Sequence, residues 1–104
     1  MTEAHTTWLY RLRPIRTDML AAGPTQTEAA IIEAHGAYLD KLAAQGIVRI
    51  AGRTVGTDPR SFGIVIIEVD SEQHAQLIVG EDPAVAEGVL AAELFPFSIA
   101  VTGD

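Results

Sequence analysis

The feature that most constrains this chain is a nearly continuous apolar run, Gly63-Ile-Val-Ile-Ile-Glu-Val69. A strand with one wet face alternates apolar and polar residues, whereas a continuous apolar run is typical of a strand that is covered on both faces. We therefore expect this segment to lie in a sheet that has helices over one face and a second sheet over the other.

The segments before this run predict a strand, a helix and another strand. Residues 8–13 alternate in polarity and end at Pro14, which cannot donate to a ladder. Thr25-Gln-Thr-Glu28 has the form of a capping box. A helix should follow the box to about Gln45, with Gly46 as its left-handed stop. Residues 15–24 should form the connection before this helix, and residues 52–62 the connection after a strand at 47–51.

The segments after the run predict a second helix and a last strand. Ser71 is a suitable cap for a helix that stops at Gly80. Asp82-Pro83 is a second capping residue, followed by proline at the first helical position, and it predicts one further short helical turn to about Glu87. The final extended segment is expected at 89–101, where Pro96 implies an edge strand or a bulge.

The resulting order is strand, helix, strand, strand, helix, strand, which predicts an α+β ferredoxin-like βαββαβ domain. The length of 104 residues suits one domain over 1–104, with residues 1–7 expected to be flexible. Since 48% of the residues are hydrophobic, we expect part of the apolar surface to be buried in a homodimer.

The charge distribution limits the classes of partner. The net charge is -7, and all seven basic residues lie before Ser61. Nucleic acid is not an expected partner, because affinity for phosphate backbones comes from clustered Lys and Arg. Arg11, Arg13 and Arg16 are interpreted as a solvated face.

Several kinds of site and location are not expected. The absence of cysteine excludes a thiolate nucleophile and a Cys-ligated metal, and His5, His35 and His74 lack the spacing of metal ligands. No apolar run approaches the roughly 20 residues of a membrane span, and no signal peptide is recognisable. We therefore expect a cytoplasmic protein with no metal and no membrane partner.

The motifs from the first helix onward resemble one known family. The sequence has His35-Gly-Ala-Tyr38-Leu39, then Ala51-Gly52, then Gly63 with its apolar strand, then Asp82-Pro83 and Pro96-Phe97. This order and spacing resemble the YCII-related (YciI-like) domain family, from Trp8 to Val101.

The resemblance implies a dimeric α+β barrel with a pocket between sheet and helices in each subunit. It implies a His–Asp pair at His35 and Asp82, and chemistry without a cofactor; one class of relatives removes chloride from chlorinated hydroxyhydroquinones. Two positions depart from the family pattern. Glu28 and Ile32 stand where an arginine is frequent, and Ala84 stands where an aromatic residue often follows Asp-Pro.

The candidate site residues each have a second interpretation. His35 is suited to general acid–base work because its pKa in solution is near neutral, or it is a helix-stripe histidine that bonds a backbone carbonyl. Asp82 is a helix cap, an orienting partner for His35, or both. Arg53 either binds a carboxylate or phenolate or is a solvated loop residue. Tyr10 and Tyr38 either line the pocket or belong to the core.

Two functions follow from these residues. The first is a cofactor-independent enzyme that moves a proton on a small aromatic or lactone-like molecule, with His35 as acid or base, Asp82 as its orienting partner, and Arg53, Tyr10 and Tyr38 around the substrate. The alternative is a non-catalytic ligand-binding or regulatory homodimer that uses the same pocket. A purely structural homodimer is a third interpretation.

Overall fold

The computed structural model describes residues 6–103. The predicted order of elements is confirmed, including the short turn after Asp82, and one short helix, α1, is added to it. The strands and helices are β1 Thr7–Pro14, α1 Met19–Ala22, α2 Gln26–Ala44, β2 Val48–Arg53, β3 Gly63–Glu68, α3 Glu72–Glu81, α4 Pro83–Ala86 and β4 Leu90–Pro96.

The four strands form one antiparallel sheet in the order β2-β3-β1-β4. This is the order of a ferredoxin-like fold, and it confirms the predicted fold class. The apolar strand β3 and its neighbour β1 occupy the centre of the sheet. Val65 pairs with Tyr10 on β1 and with Ala51 on β2, so these three side chains point to the same face.

Helix α2 forms as its terminal residues predict. The Thr25 hydroxyl accepts a hydrogen bond from the Glu28 amide, and the Glu28 carboxylate accepts one from the Thr25 amide. At the other end, Gly46 has a φ of 78°, a left-handed conformation that glycine adopts without a Cβ penalty. The cap and the stop fix where the helix begins and ends.

The core lies between the helices and one face of the sheet, which we call the inner face. Its strand residues are Trp8, Tyr10, Leu12, Val48, Val65, Ile67 and Leu90. Leu42, Ala75, Ile78 and Ala84 pack on them from the three helices α2, α3 and α4. Burial of these side chains is the main source of stability for such a domain.

The opposite, outer face has no layer over it within residues 6–103. Its central residues Leu9, Ile64 and Ile66 are adjacent in the ladder, and Ile50 and Phe95 flank them with exposed fractions of 59% and 41%. The second covering layer predicted for β3 is therefore not within the described chain.

The connection at 15–24 differs from the prediction, because it contains the short helix α1. The Arg16 guanidinium donates to the Glu28 carboxylate at 2.6 Å, to Asp18 at 2.9 Å and to the Gly23 carbonyl at 2.8 Å. The interpretation of Arg16 as a solvated residue is thus corrected. It holds the connection against the first turn of α2.

The two ends of the described chain also differ from the sequence analysis. The carbonyls of Thr6 and Thr7 accept hydrogen bonds from the Val69 and Phe97 amides, which directly follow β3 and β4. Residues 1–5 of the segment predicted to be flexible lie outside the described range. The last strand ends at Pro96 on the edge of the sheet, and residues 97–103 form no strand. Within residues 6–103, no helix is long and apolar enough to cross a membrane.

We predict that Glu28→Gln lowers the melting temperature by several degrees at neutral pH. Arg16, and then the Thr25 amide, hold the pKa of Glu28 down to about 2, below the ordinary value of about 4.5. A carboxyl with a lowered pKa stabilises the fold above about pH 4.5 and loses that contribution as the pH falls toward 2. Thermal unfolding between pH 2 and 7 measures the difference.

Glu33→Gln on the exposed side of the same helix is the control, and its melting temperature should stay near that of the native protein. Equal melting temperatures of the native protein and Glu28→Gln at pH 7 would contradict the role of this ion pair.

Candidate functional site

Asp82 occupies the corner between α3 and α4 and is completely buried. Its backbone ends α3, and its Oδ1 accepts the Ala84 amide at 3.0 Å as the cap of α4. Pro83 follows at the first helical position, where the missing N–H costs no hydrogen bond. Asp82 and Pro83 thus form a sharp turn between two helices, and the Asp82 carboxylate lies in the interior.

His35 reaches this carboxylate from the middle of α2. Its Nδ1 lies 2.7 Å from Oδ1 and 2.9 Å from Oδ2 of Asp82. The side chain is 15% exposed, so one edge of the ring is buried against Asp82 and the rest faces a cavity. The structure therefore brings together the two residues that were paired on the basis of the resemblance.

Tyr10 completes the set of groups around Asp82. Its hydroxyl donates to Oδ2 at 2.9 Å from the inner face of β1. Burial and, next, the nearby carboxylate raise the pKa of Tyr10 far above its ordinary value, so the hydroxyl stays a donor at all physiological pH. Two donors, the Ala84 amide and the Tyr10 hydroxyl, and the His35 Nδ1 thus converge on one carboxylate from three elements.

A cavity of about 590 Å³ lies between α2 and the inner face of the sheet, within the size range of small-molecule sites. Ile32, His35 and Leu39 of α2 form its roof, and Leu12, Ala51, Gly63 and Val65 form its floor on the sheet. The short helix α1 closes one side with Met19 and Leu20, two residues of the segment for which the sequence predicts an irregular connection.

The mouth of the cavity is formed by the connection between β2 and β3. Thr54 and Phe62 close this connection through Phe62 N–H to Thr54 Oγ1 at 3.0 Å, and Phe62 also lines the cavity. Arg53, the last residue of β2, lies at the mouth with its side chain exposed and forms no salt bridge within residues 6–103.

The two predicted tyrosines lie outside the wall of this cavity. Tyr10 is in the core behind Asp82. Tyr38 faces α3, where its hydroxyl donates to the Ile78 carbonyl at 2.7 Å, and burial raises its pKa to about 12. Among the sequence signals, only the alternation of β1 indicates that Tyr10 is buried, because it places Tyr10 on the same face as Trp8 and Leu12.

The residues around the cavity are mostly apolar. Within the described chain, His35 and Arg53 are its only ionisable lining residues, and no carboxylate reaches the wall. Residues 6–103 also contain no group of three His, Asp or Glu side chains placed to hold a metal ion; His5 lies outside this range.

A solved structure resembles this fold over most of its length. It is the 5-chloro-2-hydroxyhydroquinone dehydrochlorinase (TftG) of Burkholderia phenoliruptrix AC1100, solved in complex with 2,5-dihydroxybenzoquinone. The two chains align with a TM-score of 0.63 and 24% identity over 88% of this chain and 93% of the other. At this identity the likeness concerns the fold, and no curated protein matches the sequence.

The sequence also matches a defined family over nearly all of the described range. The YCII-related domain accounts for residues 7–98, from the start of β1 to just past the end of β4. The match includes the helix that carries His35, the corner that carries Asp82 and the three strands of the cavity floor. This chain belongs to the YCII-related domain family.

Proposed function

We propose that this protein is an enzyme that moves a proton on a small ring compound, with His35 as the acid or base and no cofactor. The observation that carries the proposal is the contact of the His35 Nδ1 with a buried carboxylate while the same ring forms part of the cavity wall. A histidine that served packing alone would not need to combine a buried charged partner with access to a ligand-sized cavity.

The proposed mechanism depends on which ring nitrogen carries the proton. Asp82 accepts hydrogen bonds from the Ala84 amide and the Tyr10 hydroxyl, so it is suited to accept a third from Nδ1–H. That arrangement leaves the lone pair of Nε2 directed away from Asp82, where it can take a proton from a ring hydroxyl or an acidic ring carbon. The carboxylate stabilises the imidazolium that forms, and the proton is then returned to the product.

Tyr10 acts in this proposal as a positioning residue. Its hydroxyl holds the second carboxylate oxygen, which keeps Asp82 from rotating away from the histidine. Arg53 is the proposed binding residue for an acidic oxygen of the substrate, because its planar guanidinium suits carboxylates and phenolates. The solved relative, which is named for its action on a chlorinated hydroxyhydroquinone, makes substituted hydroquinones the first compounds to test.

A second candidate is a binding protein without turnover. The three hydrogen bonds to Asp82 also satisfy a buried charge at a helix corner, which a non-catalytic domain needs as much as an enzyme does. In that case ligands would occupy the cavity unchanged, and substitution of His35 would alter affinity alone.

We further propose that the outer face of the sheet is covered by a second copy of the chain. Leu9, Ile64, Ile50 and Phe95 form one apolar surface on this face, around Ile66, which is only 9% exposed in the single chain. Its borders carry the ion pairs Arg11–Glu93 and Arg49–Glu68, which place both signs of charge around an apolar centre. Such a surface suits a symmetric contact between two identical sheets.

We predict that His35→Asn abolishes most of the turnover. The asparagine amide nitrogen can replace Nδ1 against Asp82, whereas nothing replaces Nε2, so the loss should be about 100-fold or more, as for other general acids and bases. Turnover is measured on a panel of hydroquinones, phenols and lactones that begins with 5-chloro-2-hydroxyhydroquinone.

His74→Asn is the matched control, because His74 is exposed on α3 and distant from the cavity wall. Native turnover in His35→Asn would refute the catalytic role. Ligand binding without any turnover in the unmodified protein would favour the second candidate.

We predict that Tyr10→Phe destabilises the fold by about 1.5–3 kcal/mol, the range for a hydrogen bond to a charged group. The buried carboxylate of Asp82 would lose one of its three donors. Tyr38→Phe removes a hydroxyl bonded to a neutral carbonyl and should cost only about 0.5–1.5 kcal/mol. Urea unfolding of both variants measures the difference.

A second measurement separates positioning from stability. Nitrogen-15 spectra of the imidazole should show His35 protonated at Nδ1 in the native protein and a mixture of tautomers in Tyr10→Phe. Equal stabilities of the two phenylalanine variants, with an unchanged tautomer, would contradict the proposed role of Tyr10.

We predict that Ile50→Glu converts the protein from a dimer to a monomer of 11.1 kDa. The side chain is exposed in the single chain, so the charge should leave the fold intact and disrupt only a sheet-to-sheet contact. Leu77→Glu changes a residue of nearly equal exposure, 58%, on α3 and should leave the dimer unaffected. Light scattering after gel filtration gives the masses, and a native protein of monomer mass would refute the dimer.

A further inference from the structure

One position in the floor of the cavity has no side chain although its neighbours would accept one. Gly63, the first residue of β3, pairs with Leu12 of β1 and Arg53 of β2 and lies on the inner face of the sheet. A Cβ at this position would meet the Gly52 carbonyl oxygen at 3.4 Å, the Arg53 Cβ at 3.7 Å and the Leu12 Cβ at 3.8 Å. These are ordinary van der Waals distances.

The backbone gives no reason for glycine at this position. Gly63 is absent from the glycines of positive φ, which are Gly23, Gly46, Gly56 and Gly88. Glycine inside a strand weakens the strand, and it often marks a site where a ligand approaches the backbone closely. The missing methyl group therefore indicates a ligand that lies against the sheet.

The floor is flat at two positions, Ala51 and Gly63, which present at most one carbon atom above the sheet. Longer side chains border Gly63, from Leu12 on β1, Arg53 on β2 and Val65 two residues along β3. The roof is an apolar helix face, with Ile32 and Leu39 flanking His35. A slot between a flat floor and an apolar roof suits a planar ring better than a puckered or branched molecule.

The charged residue in the cavity wall indicates that a bound ring would carry an anionic substituent. The chain as a whole has a net charge of -7, yet the lining of the cavity in the described residues carries Arg53 and no carboxylate. The Arg53 Cβ lies 3.7 Å from the place of the missing Gly63 methyl group, so the base of the arginine side chain borders the flat floor. A ring that lies on Gly63 would thus have an anionic oxygen within reach of the guanidinium.

We propose that Gly63 is the specificity-determining residue of this cavity, and that the ligand is a planar ring with an anionic oxygen substituent bound by Arg53. The ring lies over Gly63 and Ala51, and its far edge faces His35. This inference rests on the proposed function, because it assumes that the cavity beside His35 is the binding site.

The test is a titration of the nitrogen-15-labelled protein with three probes, followed by the amide and imidazole signals of His35. Benzoate is planar and anionic, cyclohexanecarboxylate has the same charge without planarity, and benzyl alcohol has the ring without the charge. Benzoate should bind at least about tenfold more tightly than either of the others, since a mismatch of one group in a shaped pocket costs about that much.

The matched variants are Gly63→Ala and Gly52→Ala. The methyl group at position 63 enters the floor of the cavity, whereas at position 52 it points from the neighbouring strand to the outer face, with no atom within 4 Å. Gly63→Ala should weaken benzoate about tenfold or more, and Gly52→Ala should leave its affinity unchanged. Arg53→Gln should weaken benzoate by a similar factor and leave benzyl alcohol unaffected.

Each outcome separates the two proposals. If benzoate shifts the His35 signals with equal affinity in Gly63→Ala and Gly52→Ala, the role of Gly63 is overturned and the binding site beside His35 stands. If cyclohexanecarboxylate binds the native protein as tightly as benzoate, the requirement for a planar ring is overturned, whatever the variants do. If none of the probes shifts the His35 signals, both this inference and the proposed function fail.

Discussion

The buried carboxylate of Asp82 is the interaction on which the site depends. An unpaired charge in a protein interior costs several kcal/mol, so the fold must supply donors to it. It does so from three elements: Tyr10 of β1, His35 of α2 and the Ala84 amide of α4. These contacts join the first strand, the long helix and the corner after α3. The same contacts orient the imidazole at the cavity, so the stability of this part of the fold and the proposed chemistry share one set of atoms.

The cavity exists because several elements leave space at one end of the sheet. Ala51 and Gly63 supply little side chain on the floor, and α1 with the connection before α2 forms one side. Arg16 fixes that connection to the first turn of α2 through Glu28, which also completes the helix cap. The resemblance noted in the sequence predicts an arginine at Glu28 or Ile32, and Glu28 instead binds an arginine from the preceding connection. Within the described residues, the cationic side chain of the cavity wall is Arg53.

Much of the fold follows from local signals in the sequence. The capping box at Thr25 and Glu28, the stop at Gly46 and the Asp82-Pro83 turn each act within a few residues, and each lies where it was predicted. The signals failed where distant contacts decide the outcome. The short helix α1 is held by Arg16 rather than by its own cap, and β4 stops at Pro96 because β1, its partner in the ladder, begins at Thr7.

The same distinction between local signals and distant contacts applies to the candidate site. The sequence by itself determined that a helix carries His35, that a tight corner carries Asp82 and that an apolar strand begins at Gly63, because these depend on caps, turns and periodicity. Only the tertiary structure decided that the two side chains lie 2.7 Å apart, since 47 residues separate them along the chain. It also decided that Tyr10 bonds Asp82 rather than lining the cavity, and that Arg53 borders the floor at Gly63. Strand register and helix packing set those distances, and no short segment of sequence specifies them.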